Sequence, residues 1–383
     1  MGRKYFIDNL RIFCILLLFP FHNVMMYNDF GERWYKKRLQ LCRMLVMMYN
    51  DFGERWYVHI AECIQASFFN ISVYAWWMPL LFLLAGMSTF YAFEKRTVKQ
   101  YLMERLCKLY VPLAVSLLLV IPVQPYIADV FFNGYSGNYF QHYREFFKLT
   151  DWSGYDGHFT PGHLWFVLYL FNISLAALPV VYFIKTKKVI IDFKGWKILL
   201  LLPVFFLPFL LKPLGNIGGK SFGEFGAWFL TGFFVFTDEN FQEKIKKILP
   251  FTAALFVSLI IARCFMYSSK IYGLKWDVLH KVFVWSGILF MFGAAKTFFD
   301  FNSRFTQYFA RASFAIYVIH QSVIVILGFF AAGYFKVPYA LQYFALVSAS
   351  FGITVLIYEI LKRFKLTCFL FGIKFNQKLK TLL

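Results

Sequence analysis

A chain of 383 residues that is 60% hydrophobic, 22% aromatic and only 16% charged, with a mean hydropathy of +0.57, is too apolar for a soluble globule of that length. The net charge of +20 does not indicate nucleic acid, because the basic residues lie between apolar spans rather than on a polar domain; it reads as membrane topology and attraction to anionic headgroups, with lipids as partners. The six cysteines, Cys14, Cys42, Cys63, Cys107, Cys264 and Cys368, have neither metal-ligand spacing nor a paired framework, so neither a metal site nor a disulfide scaffold is expected.

Apolar runs of helical length fall at 6–27, 64–93, 109–130, 163–184, 197–212, 221–237, 248–267, 277–296, 312–332 and 339–361. The expectation is an all-α polytopic membrane protein. It has about ten transmembrane helices in one bundle, forms a single domain over 1–383, and keeps both termini cytoplasmic. The inner loops Glu94 to Lys108, Lys185 to Lys197, Asp238 to Lys247 and Lys296 to Arg311, with a basic tail from Lys362, are then mostly rich in Lys and Arg. The first run ends in Pro20-Phe21-His22-Asn23 rather than a small-residue cleavage site, so no cleavable signal is expected.

The first run holds Asp8, Arg11 and His22, each costly in hydrocarbon unless it faces a cavity or a partner. At ~100° per residue, Arg11 and His22 lie ~20° from the same helix face and ~16 Å apart along the axis. Asp8 stands within pairing reach of Arg11. One face thus carries an ion pair toward one membrane surface and a titratable imidazole toward the other.

The first outer loop, 28–58, contains a repeat: Val24 to Tyr35 recurs letter for letter as Val46 to Tyr57, a shift of 22 residues. A single identical copy marks a duplication rather than a solenoid, and 36–57 reads as an insertion. The second run carries Trp76-Trp77-Met78-Pro79, with Gly86 and Ser88 permitting close helix approach. Arg105 and Lys108, at i and i+3, place two cations on one face at the inner surface, suited to lipid phosphates or to those of a large anionic cofactor. The outer loop 131–162, with Trp152 in its Gly-rich aromatic stretch, has the composition of a sugar-binding surface or of a plain connection. His163 and Trp165 open the fourth span, and His320 is an imidazole near mid-membrane in the ninth. Glu224 and His280 have no motif support.

The Asp8-Asn9-Leu10-Arg11 run with His22, Met78 to Gly86, Arg105-Leu106-Cys107-Lys108-Leu109-Tyr110-Val111-Pro112, Gly162-His163-Leu164-Trp165-Phe166 and Ser313 to His320 occur in this order. Together they resemble the acyltransferase 3 family of integral membrane O-acyltransferases. Ile121-Pro122-Val123-Gln124-Pro125-Tyr126 and the polar loop after it are most similar to the glucan-biosynthesis protein C subgroup of glucan succinyltransferases. The resemblance implies an enzyme of the cell membrane (bacterial inner or plasma membrane). It would move a succinyl or acetyl group from cytoplasmic acyl-coenzyme A to a hydroxyl of an extracytoplasmic glycan, with no metal. His22 would be the general base. Arg11 would either stabilise the thioester end of the donor or hold the architecture with Asp8. Arg105 and Lys108 would meet coenzyme A phosphates, although the family pattern has Arg at the second position and Lys lacks its bidentate fork. His163 would orient the acceptor beside Trp165 and Trp152, and His320 would serve structure or catalysis. A transporter or flippase for a glycan or lipid-linked substrate is the competing class; no matching pair of broken helices in the two halves supports it.

Overall fold

A computed structural model describes residues 4–29, 56–148, 159–187, 201–217 and 220–374. Most of the 36–57 insertion, Trp152 in the outer loop, part of the 185–197 inner loop and the end of the basic tail lie outside the described residues. Among those described, seven helices are long and apolar enough to cross a membrane: α1 (Tyr5–Tyr27), α2 (Ile64–Phe93), α3 (Val98–Asn133), α10 (Leu249–Ser268), α11 (Leu274–Phe298), α12 (Arg304–Tyr334) and α13 (Tyr339–Leu361). The chain is therefore an all-α, multi-pass membrane protein. Shorter helices intervene: α4 (Tyr139–Phe146), α5 (Gly162–Ala176), α6 (Leu178–Lys187), α7 (Leu201–Leu210), α8 (Phe222–Phe234) and α9 (Glu239–Lys247), with α14 (Lys365–Leu370) last. One short antiparallel pairing joins β1 (Asn216–Ile217) to β2 (Lys220–Ser221).

Local chemistry explains where the elements depart from the apolar runs. The run 163–184 divides into α5 and α6 because Pro179 has no N–H for the carbonyl four residues earlier. Within α1 the regular pattern is interrupted at Leu17, three residues before another proline, Pro20. The 3.6-residue arithmetic that aligns Arg11 with His22 assumes an unbroken helix, and this interruption weakens it. The region before 109, expected as a loop, is helical from Val98. Thr97 and Gln100 form a capping box, with Gln100 Oε1 accepting from Thr97 N at 2.9 Å and Thr97 Oγ1 from Gln100 N at 3.3 Å. The span that carries His320 starts at Arg304 rather than at 312, because Ser303 Oγ accepts from Thr306 N at 3.1 Å and caps it.

The chain divides into two compact units. The first comprises Met1–Cys14, Ile71–Glu104 and Tyr169–Thr306. In it α2 and α8 meet backbone to backbone: a Cβ on Gly86 would stand 1.9 Å from Phe229 O, and one on Gly232 would stand 2.0 Å from Leu83 O. Apolar helices gain little from hydrophobic association within lipid, so this close small-residue contact favours their packing, together with the Phe82–Phe225 and Phe90–Phe233 ring contacts. The start of α1 is tied by Asn9, whose Nδ2 donates to Phe299 O at 2.6 Å and Phe301 O at 2.8 Å.

The second unit comprises Ile15–Asn70, Arg105–Leu168 and Gln307–Leu383. The latter part of α1 packs on α13 through buried polar pairs, Asn23 to Ser350 at 3.1 Å and Tyr27 to Gln342 at 3.0 Å, and through the Phe19–Phe351 ring contact.

Candidate active site

Three of the histidines singled out in the sequence meet inside the second unit. The rings of His22 and His320 have centroids 5.1 Å apart, and those of His320 and His163 are 5.0 Å apart. His320 is fully buried and His163 nearly so, whereas His22 is half-buried. The cluster is assembled from α1, α5 and α12, which explains why no local sequence motif contains it.

Hydrogen bonds assign the ring protons. His320 Nδ1 lies 2.6 Å from Tyr317 O. A carbonyl only accepts, so Nδ1 is the donor and, in the neutral ring, Nε2 carries the lone pair. That Nε2 is buried with no hydrogen-bond partner among the described residues. His163 differs: its Nε2 donates to Val318 O at 2.9 Å, and its Nδ1 faces the amide Nε2 of Gln124 at 3.4 Å. Both of its nitrogens are engaged, and Tyr317 donates its hydroxyl proton to the His163 carbonyl. His163 is thus held in place, while His320 keeps an open acceptor.

A buried amide network that sequence reasoning missed supports the imidazoles. Gln124 donates to Ser322 Oγ at 2.7 Å and accepts from Gln321 Nε2 at 3.1 Å; Ser322 in turn donates to Val120 O at 2.7 Å. Gln124 is fully buried and Gln321 nearly so. Their sequence signal was available: Gln124 sits between two prolines in Ile121-Pro122-Val123-Gln124-Pro125, and Gln321-Ser322 follows His320 directly, inside an otherwise apolar span. A second missed residue is Trp56, whose indole stacks on His22 with centroids 5.0 Å apart and planes 16° apart.

The other candidates are placed separately. Arg11 belongs to the first unit, where Nη2 donates to Ser88 Oγ at 2.6 Å and Nη1 stands 3.4 Å from Asp8 Oδ1. Arg105 is half-buried and Lys108 exposed, both in the second unit. Arg105 immediately precedes, and Lys108 lies within, a π-helical turn, Leu106–Tyr110, closed by a bond from Val111 N to Leu106 O. Pro112 accounts for the turn, since it cannot donate to the carbonyl of residue 108 and its ring crowds that oxygen. Widening the turn alters the i, i+3 alignment expected for the two cations. Trp165 is buried.

In the first unit, Glu224 lies 3.9 Å from Lys212 Nζ, and His280 Nδ1 accepts from Arg263 Nη1 at 3.3 Å. Arg263 is itself buried in α10, donates to Ile71 O at 3.3 Å, and is flanked by the rings of Trp276 and Phe283 at 4.4 and 4.6 Å. Delocalised charge between aromatic faces is one way a span tolerates a cation. Among the described residues no group of three or more His, Cys, Asp or Glu is arranged to hold a metal ion.

A family model described as an acyltransferase domain matches residues 4–359. No curated protein and no solved structure matches the chain.

Proposed function

The chain belongs to the acyltransferase 3 family, and on that premise we propose that it is a membrane O-acyltransferase carrying a succinyl or acetyl group from cytoplasmic acyl-coenzyme A to a hydroxyl of an extracytoplasmic glycan. The observation that carries this reading is the convergence of His22, His163 and His320, with one half-buried ring leading to a buried one whose Nε2 is an open acceptor. Acyl transfer needs such a group. The acceptor hydroxyl oxygen attacks the thioester carbonyl, its proton passes to an imidazole, and the carbon–sulfur bond breaks to release coenzyme A, which takes a proton as its thiol.

His22 is the general base in this reading, because it is the least buried member of the cluster. His320 Nε2 lies behind it as a further proton acceptor, and His163, engaged at both nitrogens, orients the cluster. Arg105 and Lys108 supply two cations for the donor's phosphates, and Arg11, braced by Asp8 and Ser88, serves the thioester end or the architecture. Trp165 and Trp152 are the aromatic candidates for the sugar acceptor.

The test is a reconstituted one. Protein in liposomes is given acyl-labelled succinyl- or acetyl-coenzyme A on one side and a soluble glucan oligosaccharide on the other. The reading requires labelled ester on the glucan; movement of glucan across the bilayer without ester formation would replace it with a transporter.

A further inference from the structure

The twelve-residue word 24–35 recurs as 46–57, so the chain holds two tryptophans, Trp34 and Trp56, at the same place in identical text. The described fold draws on the beginning of the first copy and the end of the second. From the first copy, Met26 O accepts from Ile60 N at 2.8 Å, Tyr27 O accepts from Cys63 N at 2.8 Å, and Asp29 pairs with the buried Ser67. From the second copy, Trp56 stacks on His22, and Tyr57 and the following Val58 are buried. Asp29 and Trp56 bound residues 30–55, and without the 22 residues that the repeat adds only four would separate them.

We infer that Trp56 is a positioning residue for His22, and that Trp34 takes over this role when the second copy of the word is removed. The inference rests on the reading of His22 as the base. An indole parallel to the imidazole restricts rotation of that ring, covers one of its faces, and presents π density to the imidazolium that forms on proton uptake. Excising 36–57 joins Tyr35 to Val58; excising 34–55 or 30–51 produces the identical sequence. Deleting 22 residues that include Trp56 should therefore do less harm than changing Trp56 alone.

Two measurements test this on the full-length protein in detergent. The first is carbethoxylation of His22 by diethylpyrocarbonate, followed by peptide mass spectrometry, which needs no substrate. Trp56→Ala is expected to speed modification by about tenfold through loss of the covered face, Trp56→Phe to restore most of the protection, and the 36–57 deletion to modify at the parent rate. The second is acyl transfer from succinyl-coenzyme A, where Trp56→Ala should lower kcat about tenfold with acceptor KM little changed, and the deletion should match the parent. Unaltered modification in Trp56→Ala, or a deletion that behaves like Trp56→Ala, overturns the inference. If His22→Ala leaves transfer intact, the base assignment falls, while the modification rates still decide whether the indole covers that ring.

Discussion

His320 Nδ1 donates to the carbonyl oxygen of Tyr317 across 2.6 Å, within its own helix. This bond fixes which nitrogen can take a proton. His320→Asn retains a donor near the Nδ1 position and removes the distal nitrogen; His320→Gln retains a polar group near Nε2 and loses the Tyr317 bond. If Nε2 takes part in proton transfer, His320→Asn lowers turnover by roughly 10²-fold with an unchanged melting temperature. Equal activity in the Asn variant and the parent would confine His320 to packing.

Gln124 is fully buried and holds three partners, His163, Ser322 and Gln321. Gln124→Ala leaves Gln321 and Ser322 short of partners and is expected to cost about 1–3 kcal/mol, read as a lower melting temperature in detergent. Gln124→Glu, which buries a carboxylate there, should cost more. A neutral effect of both would mean that the amide network contributes no net stability.

The backbone contact of α2 with α8 leaves no room for a methyl group. Gly86→Ala and Gly232→Ala should each destabilise by about 1–3 kcal/mol or more, since the obstructing atoms are carbonyl oxygens rather than flexible side chains. Melting curves of the two variants check this, with Gly226→Ala, where a Cβ meets nothing within 4 Å, as the control.

Much of this architecture was legible in the sequence, and the reasons differ by residue. Apolar length reveals α10 and α13 directly, because isolated polar residues such as Arg263 in α10 and Gln342 in α13 leave their mean hydropathy high over 20 or more residues. The shorter helices α5 to α8 were harder, since Pro179 and Pro208 cut or bend segments whose hydropathy is continuous. His22, His163 and His320 stood out because imidazoles are rare within apolar spans, but the contacts of His320 with the other two join residues about 160 and 300 positions apart and have no sequence period. Gln124 enters the sequence reading only within the Ile121–Tyr126 motif and Gln321 not at all, because neither side chain carries a formal charge. Arg263 is visible in the sequence as a cation inside the run 248–267, but its partners Trp276, Phe283 and His280 lie on the next helix and have no fixed spacing from it.

Pro112 sets the π-turn beside Arg105 and Lys108. Pro112→Ala supplies the missing N–H, allowing an ordinary turn that rotates Arg105 relative to the helix that follows. If the two cations hold the donor's phosphates, this variant raises KM for acyl-coenzyme A several-fold, on the order of one lost charge-assisted contact, with kcat nearly unchanged. An unaltered KM would detach the turn from donor binding.

At the start of the chain, Lys4 Nζ donates to Glu239 Oε1 at 2.7 Å; this bond pulls the Glu239 carboxyl below its ordinary range and pushes the Lys4 ammonium up. The lowered carboxyl contributes stability above its unfolded value, lost as pH falls through its folded one. The raised ammonium contributes below its unfolded value, lost as pH rises through its folded one. Because Glu239 is 60% exposed and Lys4 28%, the pair is worth at most ~0.2–1 kcal/mol and weakens with salt. Lys4→Met should therefore lower the melting temperature slightly at neutral pH and not at all in acid. A larger loss in acid would contradict the assignment.

The central claim is that the half-buried imidazole of His22 accepts the proton of the attacking hydroxyl. Its most direct test is the rate of ester formation on glucan from labelled succinyl- or acetyl-coenzyme A by purified His22→Ala, compared with the parent protein at equal melting temperature. The account predicts a loss of roughly 10²–10⁴-fold. Parent-like transfer by a folded His22→Ala protein would contradict it.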